Sequence, residues 1–131
     1  AIGPYSQGVR SGNIILLSGQ IPALPMTGEI VPGGIGAETR QALTNLRMVL
    51  EEAGGSMKDV VKTTVFLKDI SEFTGMNSVY EEFFSAPYPA RSTVEVSALP
   101  KGAGVEIDAI AIIGDLLFFS GEKKSKQKKS R

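Results

Sequence analysis

Apolar positions along this chain follow two rhythms, and each change of rhythm marks a new element. Residues 5–9 and 13–18 read as two strands. The second, Asn13-Ile14-Ile15-Leu16-Leu17-Ser18, is a continuous apolar run entered through the turn signal Ser11-Gly12. Residues 22–36 hold Pro22, Pro25 and Pro32 among repeated glycines, which predicts a loop. From 37 to 53 the period becomes helical. Ala42, Leu43, Leu46, Val49, Leu50 and Ala53 share one face, while Arg40, Gln41, Arg47, Glu51 and Glu52 are polar. Gly54-Gly55 ends this helix, because glycine readily takes the left-handed conformation just past a helix terminus. Val60–Leu67 is rich in β-branched and aromatic residues and predicts a strand. A second helix is predicted over about 71–85, capped by Asp69 or Ser71, with Glu72 three residues after Asp69 as in a capping box. Its buried stripe is Phe73, Met76, Tyr80, Phe83 and Phe84, with Asn77 beside it, and Pro87 and Pro89 stop it.

Two further strands follow, Pro89–Val96 and Val105–Ala111, around the connection Leu99-Pro100-Lys101-Gly102. The order is therefore ββαβαββ. Each helix has one apolar face, so the expected fold is a two-layer α+β domain with one β-sheet and two helices on one face of it. The strands are apolar on both parities, so the other sheet face is expected to be covered by self-association. Two charges interrupt the last strands. Arg91 begins the first, and Glu106 lies inside the second among Val, Ile and Ala. Such a charge is costly unless paired or hydrogen-bonded, and it is kept either for a structural ion pair or for chemistry. A regular hairpin about Gly102 would set Glu106 beside Val96 and leave Arg91 roughly 16 Å along the strand. The two would then meet only through a different strand order or across a subunit boundary.

Composition narrows the chemistry. The 131 residues suggest one domain, read as residues 1–113, followed by a C-terminal extension over 114–131 with a basic tail expected to be disordered in part. There is no His, Cys or Trp, which excludes a Ser-His-Asp triad, a Cys nucleophile, a His/Cys metal site and any disulfide. Acid–base work falls to Asp, Glu, Lys, Tyr or a bound water. No apolar run approaches the ~20 residues that would span a bilayer, and no signal-peptide pattern is visible. Net charge is zero, but residues 122–131 hold six of the fourteen basic residues. Residues 1–121 carry eight basic and thirteen acidic residues, a net of −5, which makes them a poor generic nucleic-acid surface.

Taken by type and position alone, each candidate has a plainer alternative. Arg91 could form a surface ion pair, and Glu106 a buried structural one. Tyr5 could pack on a neighbouring strand, Asn77 could be a structural amide, and Ser18 a strand-end hydroxyl bonding the backbone. Thr93 could be a simple β-branched strand former.

Six ordered motifs add to this reading: Ile2-Gly3-Pro4-Tyr5-Ser6-Gln7, Ser18-Gly19-Gln20-Ile21-Pro22, Asn45-Leu46, Val61-Lys62-Thr63-Thr64-Val65, Tyr80-Glu81-Glu82-Phe83-Phe84 and the stretch Pro89–Ala111. Together they resemble the RidA/YjgF family of enamine/imine deaminases, from residue 1 to about 112. The resemblance implies a chorismate-mutase-like fold and a homotrimer with sites in clefts between subunits. It implies hydrolysis of 2-aminoacrylate- and 2-iminopropanoate-type enamines and imines to 2-keto acids and ammonia, with no cofactor and no metal. Arg91 resembles the family's carboxylate-binding arginine and Glu106 the glutamate that positions or activates water. Tyr5, Ser18, Gly19 and Asn77 match pocket positions, and Thr93 stands where many members have Cys. The implied partner is a small imino- or keto-acid carboxylate. No membrane is expected, and nucleic acid only through the basic tail. The implied setting is cytoplasmic, with mitochondrial as the alternative. The rival readings are an endoribonuclease-type relative acting on RNA and a non-catalytic module that binds small carboxylates.

Overall fold

The chain first turns back on itself at Gly12-Asn13, where Gly12 takes φ 60° in a two-residue connection. In the computed structural model, which describes residues 3–119 and 124–128, this turn joins β1 (Gly8–Ser11) to β2 (Ile14–Gln20) as an antiparallel pair. The first strand therefore starts later than residue 5. Tyr5 instead donates its backbone N–H to the carbonyl of Gly3 in a tight bend ahead of the strand.

Helix α1 (Gly34–Glu52) buries Ala42, Leu43, Leu46 and Leu50, the face that its periodicity marked out. Its end is a Schellman motif. Gly54, at φ 92°, donates to the carbonyl of Glu51, and Gly55 to that of Leu50. Strand β3 (Val60–Leu67) matches its predicted span. Helix α2 (Phe73–Tyr80) is shorter than predicted. A single 3₁₀ turn, Ile70–Glu72, leads into it, with the Asp69 carboxylate accepting the N–H of Ser71. Past Tyr80 the bonding tightens to a three-residue spacing, Glu82 to Val79 and Phe83 to Tyr80, and the α-helix stops there. Met76, Tyr80 and Phe84 are buried as expected, but Phe73 is 37% exposed.

Strands β4 (Ala90–Glu95) and β5 (Val105–Ile112) do not form the expected hairpin. The sheet order is β1-β2-β5-β3-β4. Strand β4 runs parallel to β3 on its outer side, and β5 is antiparallel to both β3 and β2. The reason is the crossover: α2 carries the chain from the end of β3 back to its start, which makes the next strand parallel. Strand β5 then fills the gap between β2 and β3.

Ile15, Leu17, Val65, Leu67, Val105, Ile107, Ala109 and Ala111 point from the sheet into one core with α1 and α2. Both helices thus cover one sheet face, as predicted. The opposite face keeps Leu16 (49% exposed) beside its pairing partners Val9 and Ile110, both also exposed. A second, two-stranded sheet of β6 (Asp115–Phe119) and β7 (Lys124–Lys128) amends the expectation of one sheet. Of the predicted basic tail, residues 122, 123 and 129–131 lie outside the described residues.

Candidate active site

Arg91 and Glu106 lie on opposite faces of the sheet. Arg91 pairs with Thr63 across the β3–β4 ladder, so it shares the helix-covered face with that buried residue. Its Nη1 donates to Asn77 Oδ1 of α2 at 2.7 Å. Its guanidinium carbon lies 4.7 Å from the centroid of the Tyr80 ring and 5.4 Å from that of Phe73. The Tyr80 hydroxyl in turn bonds Thr63 Oγ1 at 2.7 Å, with both residues buried. Burial raises the Tyr80 phenol above its ordinary range, partly offset by Thr63 and Arg91, so it stays protonated at neutral pH. Asn77, Tyr80, Glu81, Tyr88, Pro89 and Arg91 line an open cleft of about 390 Å³. Thr93, two residues along β4 on the same side, pairs with Val65.

Glu106 pairs with Phe66 of β3, and its parity puts it on the sheet face that neither α1 nor α2 covers. Its carboxyl lies against Gly19, where a Cβ would collide with Glu106 Oε2. Only a residue without a side chain leaves that space. Partial burial first, and the Asp108 carboxylate second, raise the Glu106 pKa above its ordinary value. Asp108 is itself engaged, accepting the N–H of Thr64 at 3.1 Å. Ser18 does not act as a free hydroxyl. Its Oγ donates to the carbonyl of Ser6 at 2.6 Å and its N–H to that of Gln7, which ties the segment carrying Tyr5 to the end of β2. Tyr5 is half exposed and, with Gly19, Gln7 and the α1 residues Asn45, Met48 and Val49, lines a groove of about 430 Å³ that Glu106 does not enter.

Within one chain, therefore, Arg91 and Asn77 meet at one cleft with Thr93 on the same face, Gly19 meets Glu106 elsewhere, and Tyr5 lines a groove beside α1 that Gly19 also borders. Strand β3 separates Arg91 from Glu106. Arg91 is level with Thr63 and Glu106 with Phe66, which puts their backbones roughly 14 Å apart with side chains on opposed faces. The hairpin register placed Glu106 beside Val96, and the intervening strand corrects it. Tyr80, Thr63 and Tyr88 join the site without being marked as site residues by type or motif in the sequence. Tyr80 follows Asn77 by three positions, the spacing that puts two residues on one helical face, and that spacing was the available signal. Its place in the apolar stripe hid it.

The Endoribonuclease L-PSP family model matches residues 1–113. The chain is 53% identical over 115 residues to the 2-iminobutanoate/2-iminopropanoate deaminase of Escherichia coli strain K12, over 86% of this chain and 89% of that protein. Among solved structures, the YjgF gene product of E. coli superposes with a TM-score of 0.81 at 52% identity, covering 86% of this chain and 90% of that one. E. coli TdcF with bound serine gives a TM-score of 0.81 at 46% identity, with the same two coverages.

Proposed function

We propose, from the premise that this chain belongs to the RidA/YjgF (Endoribonuclease L-PSP) family, that it is a deaminase hydrolysing 2-aminoacrylate- and 2-iminopropanoate-type enamines and imines to 2-keto acids and ammonia. One observation carries the reading to specific atoms. Arg91 is held at a cleft by Asn77 and an aromatic ring, with donors of its fork that Asn77 does not occupy. A planar guanidinium grips a carboxylate through two parallel bonds, a geometry Lys cannot copy. Serine, itself an α-amino carboxylate, is bound in the related TdcF structure, which supports the same class of ligand here.

In this reading Arg91 fixes the substrate carboxylate and so aligns the imine carbon. Glu106, as carboxylate, takes a proton from water as the oxygen bonds to that carbon. The C=N π electrons pass to nitrogen, which takes the proton held by Glu106 to give a carbinolamine. The carbinolamine hydroxyl then gives its proton, by way of the Glu106 carboxylate, to that nitrogen as the C–N bond breaks, so ammonia departs and the carbonyl forms. An enamine first gains a proton at its terminal carbon to become the imine. Imines hydrolyse readily in water, so orientation supplies much of the help.

Arg91 and Glu106 serve one substrate only if a second copy of the chain brings its Arg91 cleft to the Glu106 face of the first. The reading therefore includes a homotrimer of chorismate-mutase-like chains with sites at its interfaces. Its support is the uncovered sheet face bearing Val9, Ile14, Leu16 and Ile110, an area that association would remove from water.

The test adds purified protein to a threonine dehydratase reaction and times keto-acid release. The wild-type protein should shorten the lag. Arg91→Ala should lower kcat/KM by about 100-fold or more, as expected for the loss of a charged bidentate contact. Equal turnover by a folded Arg91→Ala protein would refute the role. The endoribonuclease description of the family model is the second reading, and the basic C-terminal segment is the feature on its side. RNA cleavage that survives Arg91→Ala and vanishes when residues 114–131 are removed would favour it.

A further inference from the structure

We infer that the buried Thr63–Tyr80 hydroxyl pair is a positioning device that sets the plane of the Arg91 guanidinium and thereby the affinity of the site for a carboxylate. The inference rests on the proposed role of Arg91. It assigns function to two buried hydroxyls that act through Arg91.

A planar cation on a long side chain needs two constraints before its fork points in one direction. One must fix the plane, and the other the rotation within that plane. Asn77 Oδ1, 2.7 Å from Nη1, supplies the second. The Tyr80 ring, 4.7 Å beneath the guanidinium carbon, supplies the first, because a cation seeks the ring face. The ring can hold a plane only if it is itself held. At one side it rests against Phe84, with centroids 4.7 Å apart. At its tip the hydroxyl is tied to Thr63 Oγ1 at 2.7 Å inside the core.

Thr63 sits on β3 directly opposite Arg91, so the same ladder that carries the arginine also carries the anchor of its platform. Arg91 stands on β4, an edge strand of the sheet, with no neighbouring strand beyond it among the described residues. Pre-organising a binding group raises affinity by removing the ordering cost at the moment of binding. The chain Thr63–Tyr80–Arg91–Asn77 does this without presenting Thr63 or the Tyr80 hydroxyl to the ligand.

The pair can be removed with little change to packing. Tyr80→Phe keeps the ring and loses its tether, while Thr63→Val keeps the shape and loses the partner. The double variant leaves neither hydroxyl unsatisfied, so it should fold much as the parent does. The probe is 2-ketobutyrate, titrated into each protein by calorimetry, with 2-aminoacrylate turnover measured in parallel. The double variant should bind the keto acid about tenfold more weakly and show a raised KM with a smaller change in kcat. Thr63→Ser, which restores a hydroxyl at the same place, should recover the parent affinity. Arg91→Ala serves as the control for the underlying reading.

If Arg91→Ala abolishes binding while the double variant binds like the parent, the positioning role is wrong and the role of Arg91 stands. If Arg91→Ala binds the keto acid as the parent does, both fall together. A purely structural pair would lower the melting temperature of the single variants yet leave the affinity of the folded double variant unchanged, and that result also overturns the inference.

Discussion

Glu106 shares one face of β5 with a second carboxylate, Asp108, and these surroundings set the pH range of the general base proposed there. Partial burial and then the Asp108 carboxylate push its pKa above the ordinary 4.5. A general base acts only when ionised, so kcat/KM should rise with pH through that elevated value and level off above it. Asp108→Asn should move the rise to lower pH, because it removes the second cause while keeping an oxygen to accept from Thr64. A pH–rate profile of the two proteins checks this, and coincident curves would remove Asp108 from the account. The sign for stability is opposite. A raised carboxyl pKa means the folded chain holds its proton longer than the unfolded chain. The contribution of Glu106 to stability is therefore greatest below pH 4.5 and declines as pH climbs through the raised value. Glu106→Gln should flatten that decline in urea melts.

The elements differ in how much of themselves they showed in advance. Helix α1 and strand β3 were plain, because Ala42, Leu43, Leu46 and Leu50 mark a helical face and a glycine pair marks its end. The extent of α2 was not, since the stripe through Phe83 and Phe84 continues the helical spacing while the backbone tightens into turns after Tyr80. The partner of β4 was hidden for a deeper reason. Alternation along a strand reports which faces are buried and says nothing about which strand lies alongside. The β6–β7 pair forms its own sheet beyond the five-stranded one, and the family match stops at residue 113. A chain ending at Ile113 should therefore keep its deaminase activity and melt within about 4 °C of the full chain, equivalent to roughly 1 kcal/mol. A larger loss by calorimetry would show that the extension braces the domain.

At the scale of the molecule, the candidate residues could be named from the chain, but their arrangement could not. Arg91 and Glu106 stood out as charges in apolar strands. That they face opposite ways follows from strand order, a long-range property that no local pattern carries. In the proposed mechanism the chemistry is divided into two complementary parts, a cleft that holds the carboxylate and a surface that activates water. Chains bearing Arg91→Ala and chains bearing Glu106→Gln should each be inert alone. Dissociated and reassembled in equal amounts, they should regain about a quarter of normal turnover, the share of interfaces at which an intact half from each meets under random assortment. Such hybrids would make a working enzyme from two dead ones, whereas a mixture that stayed silent would mean that both groups must come from a single polypeptide.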